Sequence, residues 1–585
     1  MIDYANPMPD ELQLFQNSPA PCVSMGPAAS KQSEKFKAEP LPGRTAAPRL
    51  LPYMLATILL SALLVLFIQW KTGAWRDDFS ATGDEASHFT SAVSMSSFYT
   101  SGEMLHPYGF ASQYYLHYPK VAFGKWPPVF YFLSGIWFLI FSPSRFTGML
   151  FIGFEVTLLG LTVFWVGSRL LSPMLAFLAA ITVVLTPFFA LHSTIFMLEP
   201  QTATLGLLSL MAFLAVLDNR GWKAGVLFVL ATCACILTKA NGWALLISAG
   251  LGYLWLRKDV RTPLLAVAGW LLATVAVCFP FYYLFVHAMS DGNTESKPTL
   301  QFTLEAVPTY LKASMEVLGI AVCALYLLRL FLCARGSYTQ REHRPLIVLL
   351  VTWTMGPFLF QSIVPASFEI RHLAIAFPCV VLLAFAALAQ LLEGYGQKVA
   401  IGAGVALLLL TIPWTMPDRY SELFRIAAPG IVSKLSSSTN KAVLLSSNGP
   451  GEGRLIACMA ALDPKAKLFC VRATKLIVDT DWGAQDYHLL VNTKEEVLKK
   501  LDSVPVGYVA IHDMGRVGLP HYALLRDAVL SDPEHWRLTK VLESVPVPGV
   551  KETLSIYENS ANIAMPVTNL TLDMHRKLSR VIVLQ

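Results

Sequence analysis

The sequence predicts a polytopic α-helical membrane protein with a soluble α/β domain at its C-terminal end. Three observations predict this class: 54% of the 585 residues are hydrophobic, long apolar runs recur between residues 51 and 416, and strand-like and helix-like segments alternate after residue 418. The runs approach the ~20 residues that a helix needs to cross a bilayer. The formal charge of +6 is modest and lies in loops, so it indicates membrane topology and no nucleic-acid partner.

The first 70 residues combine a polar tail with an apolar segment. Residues 1–50 are rich in Pro, Ala, Ser and Lys, a composition typical of a disordered tail. The run from Leu51 to Trp70 starts too far from the N-terminus and is too long for a cleavable signal peptide, so we expect a signal anchor. Ten further runs bring the expected number of spans to about eleven: 147–167, 172–190, 200–217, 223–237, 242–256, 263–287, 314–333, 346–364, 374–393 and 398–416.

Basic residues orient these spans, because loops rich in Lys and Arg stay on the cytoplasmic side. The N-terminal tail and the Arg335 to Arg344 cluster are basic, which places the first loop, 71–146, on the outer side. Val129 to Phe141 is apolar but short for a span, so we expect a re-entrant or interfacial helix. A true crossing that breaks the charge rule at Arg169 is the alternative.

We therefore expect a cytoplasmic tail (1–50), a membrane domain (51–417) and an extracytoplasmic domain (418–585). The last domain is predicted as a small three-layer α/β fold, with strands beginning at Lys441, Lys467 and Gly507 and helices at 453–461, 494–502 and 520–530.

Two features of the C-terminal domain suggest specific contacts. The turn from Gly449 to Gly453 precedes a helix and could hold a phosphate, although a glycine-rich strand-to-helix turn needs no ligand. Cys458 and Cys470 could form a disulfide outside the cytoplasm. Six other cysteines fall within apolar runs without metal-ligand spacing and are expected to be packing residues.

Asp84 and Glu85 lie just after the first apolar run, at the water edge of the predicted membrane domain. If Asp84 begins a helical turn, His88 lies one turn along on the same face. A carboxylate and an imidazole so placed can accept a proton from a hydroxyl or amine. The alternative is an acidic helix cap at the membrane surface, since acids favour a first turn.

Basic residues recur on the same predicted side. Lys125 precedes a Trp-Pro-Pro sequence, Lys239 interrupts two apolar runs, and Arg371 with His372 precedes a late span. Single cations at membrane edges are often anchors whose stems lie along apolar surface. Three that recur on one face are also consistent with an anion site.

Five short motifs follow one another in order along the chain: Asp84-Glu85, Lys125-Trp126-Pro127-Pro128, Glu199-Pro200, Thr238-Lys239 and Arg371-His372-Leu373. In this order, over residues 50–395, the chain resembles the GT-C glycosyltransferases of the protein O-mannosyltransferase and aminoarabinose-transferase type. It departs from their pattern at His88, where an aromatic residue is expected, and at Glu199, where Asp is commoner. From its position alone, Glu199 is a capping acid before a proline at the first helical position.

The resemblance implies transfer of a sugar from a polyprenyl-phosphate donor to a lipid, glycan or protein acceptor, with inversion at the anomeric carbon. It implies an enzyme of the inner (plasma) membrane whose active site and C-terminal domain face the periplasm. Asp84 would be the acceptor base, with Glu85 as its alternate. The predicted substrate-binding residues are His88, Lys125, Glu199, Lys239, Arg371 and His372, with Lys125 and Arg371 as the first choices for the donor phosphate.

Other interpretations remain open. Asp84, Glu85 and His88 could hold a divalent metal ion, because carboxylates and imidazole suit such ions, although no complete ligand set is visible. A transporter or lipid flippase with a soluble binding domain should carry ionisable groups within its spans. Glu155 is the clearest such acid, and no internal repeat is visible. A non-catalytic membrane assembly subunit is the third possibility.

Overall fold

The computed structural model describes residues 47–79, 83–121, 126–286, 298–337, 341–365, 367–413, 422–479, 487–504, 506–514, 519–547, 550–568, 570–573 and 581–583. Most of the predicted N-terminal tail lies outside these ranges. Residues from Arg49 onward belong to one compact unit.

Helices fill the N-terminal two-thirds of the described chain, with short 3-10 or π turns between some of them. Their bounds are α1 (Ala47–Lys71), α2 (Gly83–Thr100), α3 (Pro107–His117), α4 (Val129–Phe141), α5 (Arg145–Gly167), α6 (Pro173–Leu185), α7 (Pro187–His192), α8 (Glu199–Leu217), α9 (Trp222–Ile236), α10 (Ala244–Leu256), α11 (Leu264–Phe281), α12 (Leu300–Leu318), α13 (Ile320–Ala334), α14 (Arg344–Ile363), α15 (Phe377–Leu391) and α16 (Gln397–Thr411).

Fewer of these helices are full-length spans than the apolar runs predict. Among the described residues, five are long and apolar enough to cross a membrane, namely α1, α5, α8, α11 and α14, and a sixth is the bent pair α12 and α13. Other predicted spans fold as shorter apolar helices of 10–17 residues, among them α6, α9, α15 and α16, so the number of about eleven spans stays a prediction. The run at 172–190 breaks at Thr186, whose hydroxyl caps α7, and the run at 314–333 breaks at Gly319, where the helix axis turns by 120°.

Helix α4 has 13 residues and packs against α2 along one side. A methyl group built on Gly135 would lie 3.0 Å from Met95, which shows how closely the two helices approach. The opposite side of α4 exposes apolar residues, including Leu133 and Ile140. A short helix with one packed and one exposed apolar side suits the expected re-entrant or interfacial placement, which stays a prediction.

The C-terminal domain contains a five-stranded sheet in the order β2-β1-β5-β7-β6. The parallel strands are β1 (Ala442–Ser446), β2 (Phe469–Arg472) and β5 (Tyr508–Asp513), and the antiparallel hairpin is β6 (Trp536–Val547) with β7 (Val550–Asn559). Two short pairs lie outside this sheet: β3 (Val478–Asp479) with β4 (His488–Leu489), and β8 (Thr571–Asp573) with β9 (Val581–Val583). The helices are α17 (Leu423–Ser437), α18 (Gly449–Leu462), α19 (Ala473–Leu476), α20 (Lys494–Asp502) and α21 (Pro520–Ser531).

Alternate residues of β1 define the layers of this domain. Val443 and Leu445 pack with α17 and α18, whereas Ala442 and Leu444 pack with α20 and α21 on the other face. The predicted three-layer α/β fold and its three strands are confirmed, and the structure shows that these strands run parallel. The β6–β7 hairpin was not anticipated.

The C-terminal domain is joined to the first loop at its first helix. Both oxygens of the Asp78 carboxylate accept hydrogen bonds at the N-terminus of α17, from the backbone N–H groups of Phe424 (3.0 Å) and Arg425 (2.9 Å). Asp78 thus supplies the cap that this helix needs from a distant part of the chain.

The suggested disulfide between Cys458 and Cys470 does not form. Both are free thiols. Cys470 Sγ lies 3.8 Å from Met459 Sδ, between β2 and α18, so it is packed in the apolar core of the domain.

Candidate active site

Asp84 lies in the first turn of α2, with its side chain 17% exposed. Arg371 donates a hydrogen bond from Nη2 to Asp84 Oδ2 over 2.7 Å. The guanidinium also pairs with the Glu369 carboxylate. The first-loop acid and the late Arg-His motif, 287 residues apart in sequence, therefore meet in one place.

Electrostatics keep Asp84 ionised at neutral pH. Burial by itself raises the pKa of this carboxyl, but His88, which is charged in the acidic range where Asp84 titrates, and Arg371 outweigh burial and hold the pKa below its usual range. Lys120 acts in the same direction. An ionised carboxylate is the form that can accept a proton.

Glu85 faces a different set of partners. Its carboxylate forms a buried ion pair with Arg145 and accepts a 2.7 Å hydrogen bond from the backbone N–H of Phe196. Arg145 is the first residue of α5, where a capping box at Ser144 fixes the start of the helix. Arg145 Nε also donates to the Ala74 carbonyl over 2.9 Å. Glu85 therefore ties three segments together, which favours a structural role over that of alternate base.

His88 is buried one turn beyond Asp84. Its Nδ1 lies 2.7 Å from the Tyr131 hydroxyl, and its ring centroid lies 4.4 Å from that of Trp126. Burial lowers the pKa of His88 to about 4, so the imidazole is neutral at pH 7. Lys125, the predicted phosphate ligand beside Trp126, lies outside the described residues.

Glu199 and Lys239 form a second buried ion pair, with Nζ 2.7 Å from Oε1. Glu199 opens α8, with Pro200 in the first turn as expected for a capping position. Its other oxygen, Oε2, is buried and has no hydrogen-bond partner in the part of the chain that the structure describes. The pair therefore presents a buried acceptor oxygen beside a cation.

Two short turns hold the cationic residues. Lys239 immediately precedes the 3-10 turn Ala240–Trp243, and Arg371 and His372 lie in the turn Ile370–Leu373. Asn241 joins the turns, because its side chain donates to the His372 carbonyl over 2.8 Å. The described residues therefore fix Lys239 and Arg371 relative to each other.

The predicted residues converge electrostatically. Burial lowers the pKa of His372 to about 3, and Lys239, Arg371, Glu199 and Asp84 all act on that pKa. The same four charged residues also act on the pKa of His88, so, apart from Lys125, the predicted substrate-binding residues and Asp84 form one cluster. Glu85 points away from this group toward Arg145.

Sequence reasoning missed Lys120 and Tyr131. Lys120 is buried in the turn after α3, and its Nζ lies 3.1 Å from where a methyl group on Gly83 would stand. Tyr131 lies in the first turn of α4, on its buried side. A lysine between a proline and an apolar segment, as in Pro119-Lys120-Val121, was the available signal for the first.

The described residues contain no group of three His, Cys, Asp or Glu side chains that could hold a metal ion. Asp84 pairs with Arg371, Glu85 with Arg145, and His88 contacts Tyr131. The possible divalent site at Asp84, Glu85 and His88 thus lacks convergent ligands, because the two carboxylates point to different cations.

No protein-family model matches the chain, and no curated protein sequence matches it. Solved structures match its fold. ArnT from Cupriavidus metallidurans in the apo state has a TM-score of 0.51 over 89% of this chain and 100% of that one, at 13% identity. The same protein bound to undecaprenyl phosphate gives 0.50 at 11% identity, with the same coverage.

The apo oligosaccharyltransferase from Archaeoglobus fulgidus also has a TM-score of 0.50, over 78% of this chain and 69% of that one, at 11% identity. Identities this low establish the fold alone. The resemblance to GT-C proteins is therefore confirmed at the level of the fold: this is a multi-pass, mostly helical protein with a C-terminal α/β region.

Proposed function

We propose that the protein is a membrane glycosyltransferase that moves a sugar from a polyprenyl-phosphate donor to an acceptor on the extracytoplasmic face, with inversion. The observation that carries the proposal is the ion pair of Asp84 and Arg371 beside the buried pair of Glu199 and Lys239. It sets a potential proton acceptor beside two fixed cations. The GT-C fold supports the same class.

In the proposed reaction Asp84 acts as the base, and Arg371 and Lys239 bind the phosphate of the donor. The acceptor hydroxyl or amine loses its proton to Asp84 and attacks the anomeric carbon. The bond from that carbon to the phosphate oxygen breaks on the opposite face, and its electron pair leaves with the lipid phosphate. Arg371 and Lys239 would bind this phosphate and stabilise its developing charge, an effect that preorganised donors can make worth about 3 kcal/mol.

The site must exchange partners for this to happen. In the structure Arg371 is bound to Asp84 and Glu369. A phosphate monoester or diester offers Arg371 a bidentate acceptor, which would release the Asp84 carboxylate toward the acceptor. Neutral His88 and Tyr131 would line the acceptor side, and Lys125 is proposed as a further phosphate ligand.

The nature of the donor is proposed from two sources. One structural neighbour was solved with undecaprenyl phosphate, and the Archaeoglobus fulgidus enzyme was solved with a tethered acceptor peptide. By analogy we propose a polyprenyl-phosphate-linked sugar as donor, and a lipid, glycan or protein as acceptor. Inner-membrane placement with a periplasmic site belongs to the same proposal.

The test is transfer of labelled sugar from a panel of polyprenyl-phosphate donors by purified protein. The comparison is wild type against Asp84→Asn, with Glu103→Gln, an exposed acid of the same loop, as the matched control. We expect Asp84→Asn to lose at least about 100-fold in turnover, the scale of general-base catalysis, while it still binds donor. Absence of turnover with every donor, together with substrate-driven transport in vesicles, would favour the transporter or flippase instead.

A further inference from the structure

The end of α3 and the turn that follows it, residues 117–121, contact the C-terminal domain. The Tyr118 hydroxyl donates to Asp463 Oδ2 over 2.7 Å, and this oxygen also accepts from the backbone of Lys467 and Leu468. His117 Nδ1 lies 2.9 Å from the Leu468 carbonyl oxygen. The position of this turn is therefore set by the C-terminal domain.

Lys120, in the same turn, passes between two glycines. A methyl group built on Gly83 would lie 3.1 Å from Lys120 Nζ, and one built on Gly453 would lie 2.5 Å from Lys120 Cε. Gly83 precedes Asp84, and Gly453 lies in the first turns of α18. The lysine stem is thus confined between the candidate base and the C-terminal domain, with 7% of the residue exposed.

The start of α18 is itself rigidly held. Asn448 caps the helix by accepting from the backbone N–H of Gly451 over 2.7 Å. Glu452 pairs with Arg472 over 2.7 Å and accepts from the backbone N–H of Thr474 over 3.0 Å. The surface that Lys120 lies against is therefore an ordered part of the sheet domain.

We propose that Lys120 is a positioning residue for Asp84, held in place by the start of α18, so that docking of the C-terminal domain completes the candidate active site. This assigns the C-terminal domain a part in the chemistry. It rests on the proposed function only for the claim that Asp84 is the base.

The charge on Lys120 acts directly on Asp84, as one of the groups that lower the pKa of its carboxyl. The titratable and charged groups around Asp84 are His88 on its own helix, Lys120 in the turn after α3, Tyr131 on α4, and Arg371 and His372 in the late 3-10 turn. When Lys120 is removed, Arg371 remains hydrogen-bonded to the Asp84 carboxylate.

The test measures the protonation of Asp84 without using activity. A hydrophobic carbodiimide reacts with protonated carboxyls, and its adduct on Asp84 is quantified by mass spectrometry from about pH 2 to pH 6, a range that extends below the ordinary carboxyl pKa of about 3.9. We expect Lys120→Gln to raise the midpoint pH of labelling by only a fraction of the ~1–3 units that an opposite charge in contact can produce, because Lys120 acts on the Asp84 carboxyl more weakly than His88 and Arg371 do. Gly453→Ala should shift it in the same direction, because the added methyl displaces the lysine.

Two variants serve as controls. Lys120→Arg keeps the cation and should keep the midpoint near that of wild type. Gly449→Ala adds a methyl group in the same helix, but at a distance of 3.9 Å from Arg472 and away from Lys120, so it should leave the midpoint unchanged. Loosened packing alone would change the labelling rate at every pH without moving the midpoint.

Unchanged midpoints in both Lys120→Gln and Gly453→Ala would overturn the inference. Equal shifts in Gly453→Ala and Gly449→Ala would also overturn it, because the effect would then not pass through Lys120. If the variants show the expected shifts but the wild-type protein transfers no sugar from any donor, the proposed function is refuted and the role of Lys120 is left intact.

Discussion

The two adjacent acids of α2 should respond to mutation in opposite ways. Glu85→Gln keeps the shape of the side chain and removes its charge, so that the Arg145 guanidinium stays buried without its counterion. Breaking a buried ion pair typically costs about 3–5 kcal/mol. We expect the lower end here, because Arg145 keeps hydrogen bonds to the Ala74 carbonyl (2.9 Å) and the Thr194 carbonyl (3.2 Å).

The assay is the free energy of unfolding in detergent, measured in parallel with turnover per folded molecule. We expect Glu85→Gln to lose about 3 kcal/mol of stability and to retain turnover within a few-fold of wild type. Asp84→Asn should instead keep its stability and lose its turnover. A double variant, Glu85→Leu with Arg145→Met, should recover part of the lost stability. The reasoning is refuted if Glu85→Gln unfolds like wild type and loses its turnover.

Three further predictions concern the polar cluster. Because the pKa of Asp84 is lowered, kcat/KM should stay flat as the pH falls from 7 to about 5 and decline only near or below the ordinary carboxyl range; a decline centred above pH 6 would contradict this. Since the pKa of His88 is about 4, His88→Gln should leave the pH dependence of kcat/KM between pH 5 and 8 unchanged. A change of kcat/KM centred near pH 6.5 in wild type that is lost in the variant would contradict this low pKa. Lys239→Met should destabilise the protein by about 3–5 kcal/mol by leaving Glu199 buried and unpaired, and adding Glu199→Leu should restore part of this in the same unfolding assay.

The order of the apolar helices could be predicted from the sequence, since hydrophobic length is a local property, whereas the membrane side of the polar motifs stays a prediction. The meeting of Asp84 with Arg371 followed from the family pattern. The helix breaks at Thr186 and Gly319 could not be predicted from the sequence, because an apolar composition does not show where a helix ends or bends. The short helices that result still bury apolar surface against their neighbours.

The partners of the buried charges could not be predicted in the same way. Glu85 and Arg145 are 60 residues apart, and nothing local distinguishes Glu85 from Asp84 before α5 is placed. Lys125 could be identified from the sequence because it belongs to a motif of the family that the chain resembles. Lys120 could not, because its position depends on a close approach to Gly453 in the C-terminal domain. Such pairings depend on tertiary contacts that the linear pattern does not carry.

The cap that Asp78 provides for α17 has a consequence for the biosynthesis of the protein. Its acceptor sits 346 residues before Phe424 in the chain. At ~5–20 residues per second, the ribosome needs roughly 20 to 70 seconds to synthesise the intervening segment. During that interval the first loop waits without its partner helix, and nascent chains that terminate early never supply it. This contact therefore forms only after translation has reached the last domain, and in an unfinished chain the Asp78 carboxylate lacks the two backbone donors that α17 supplies.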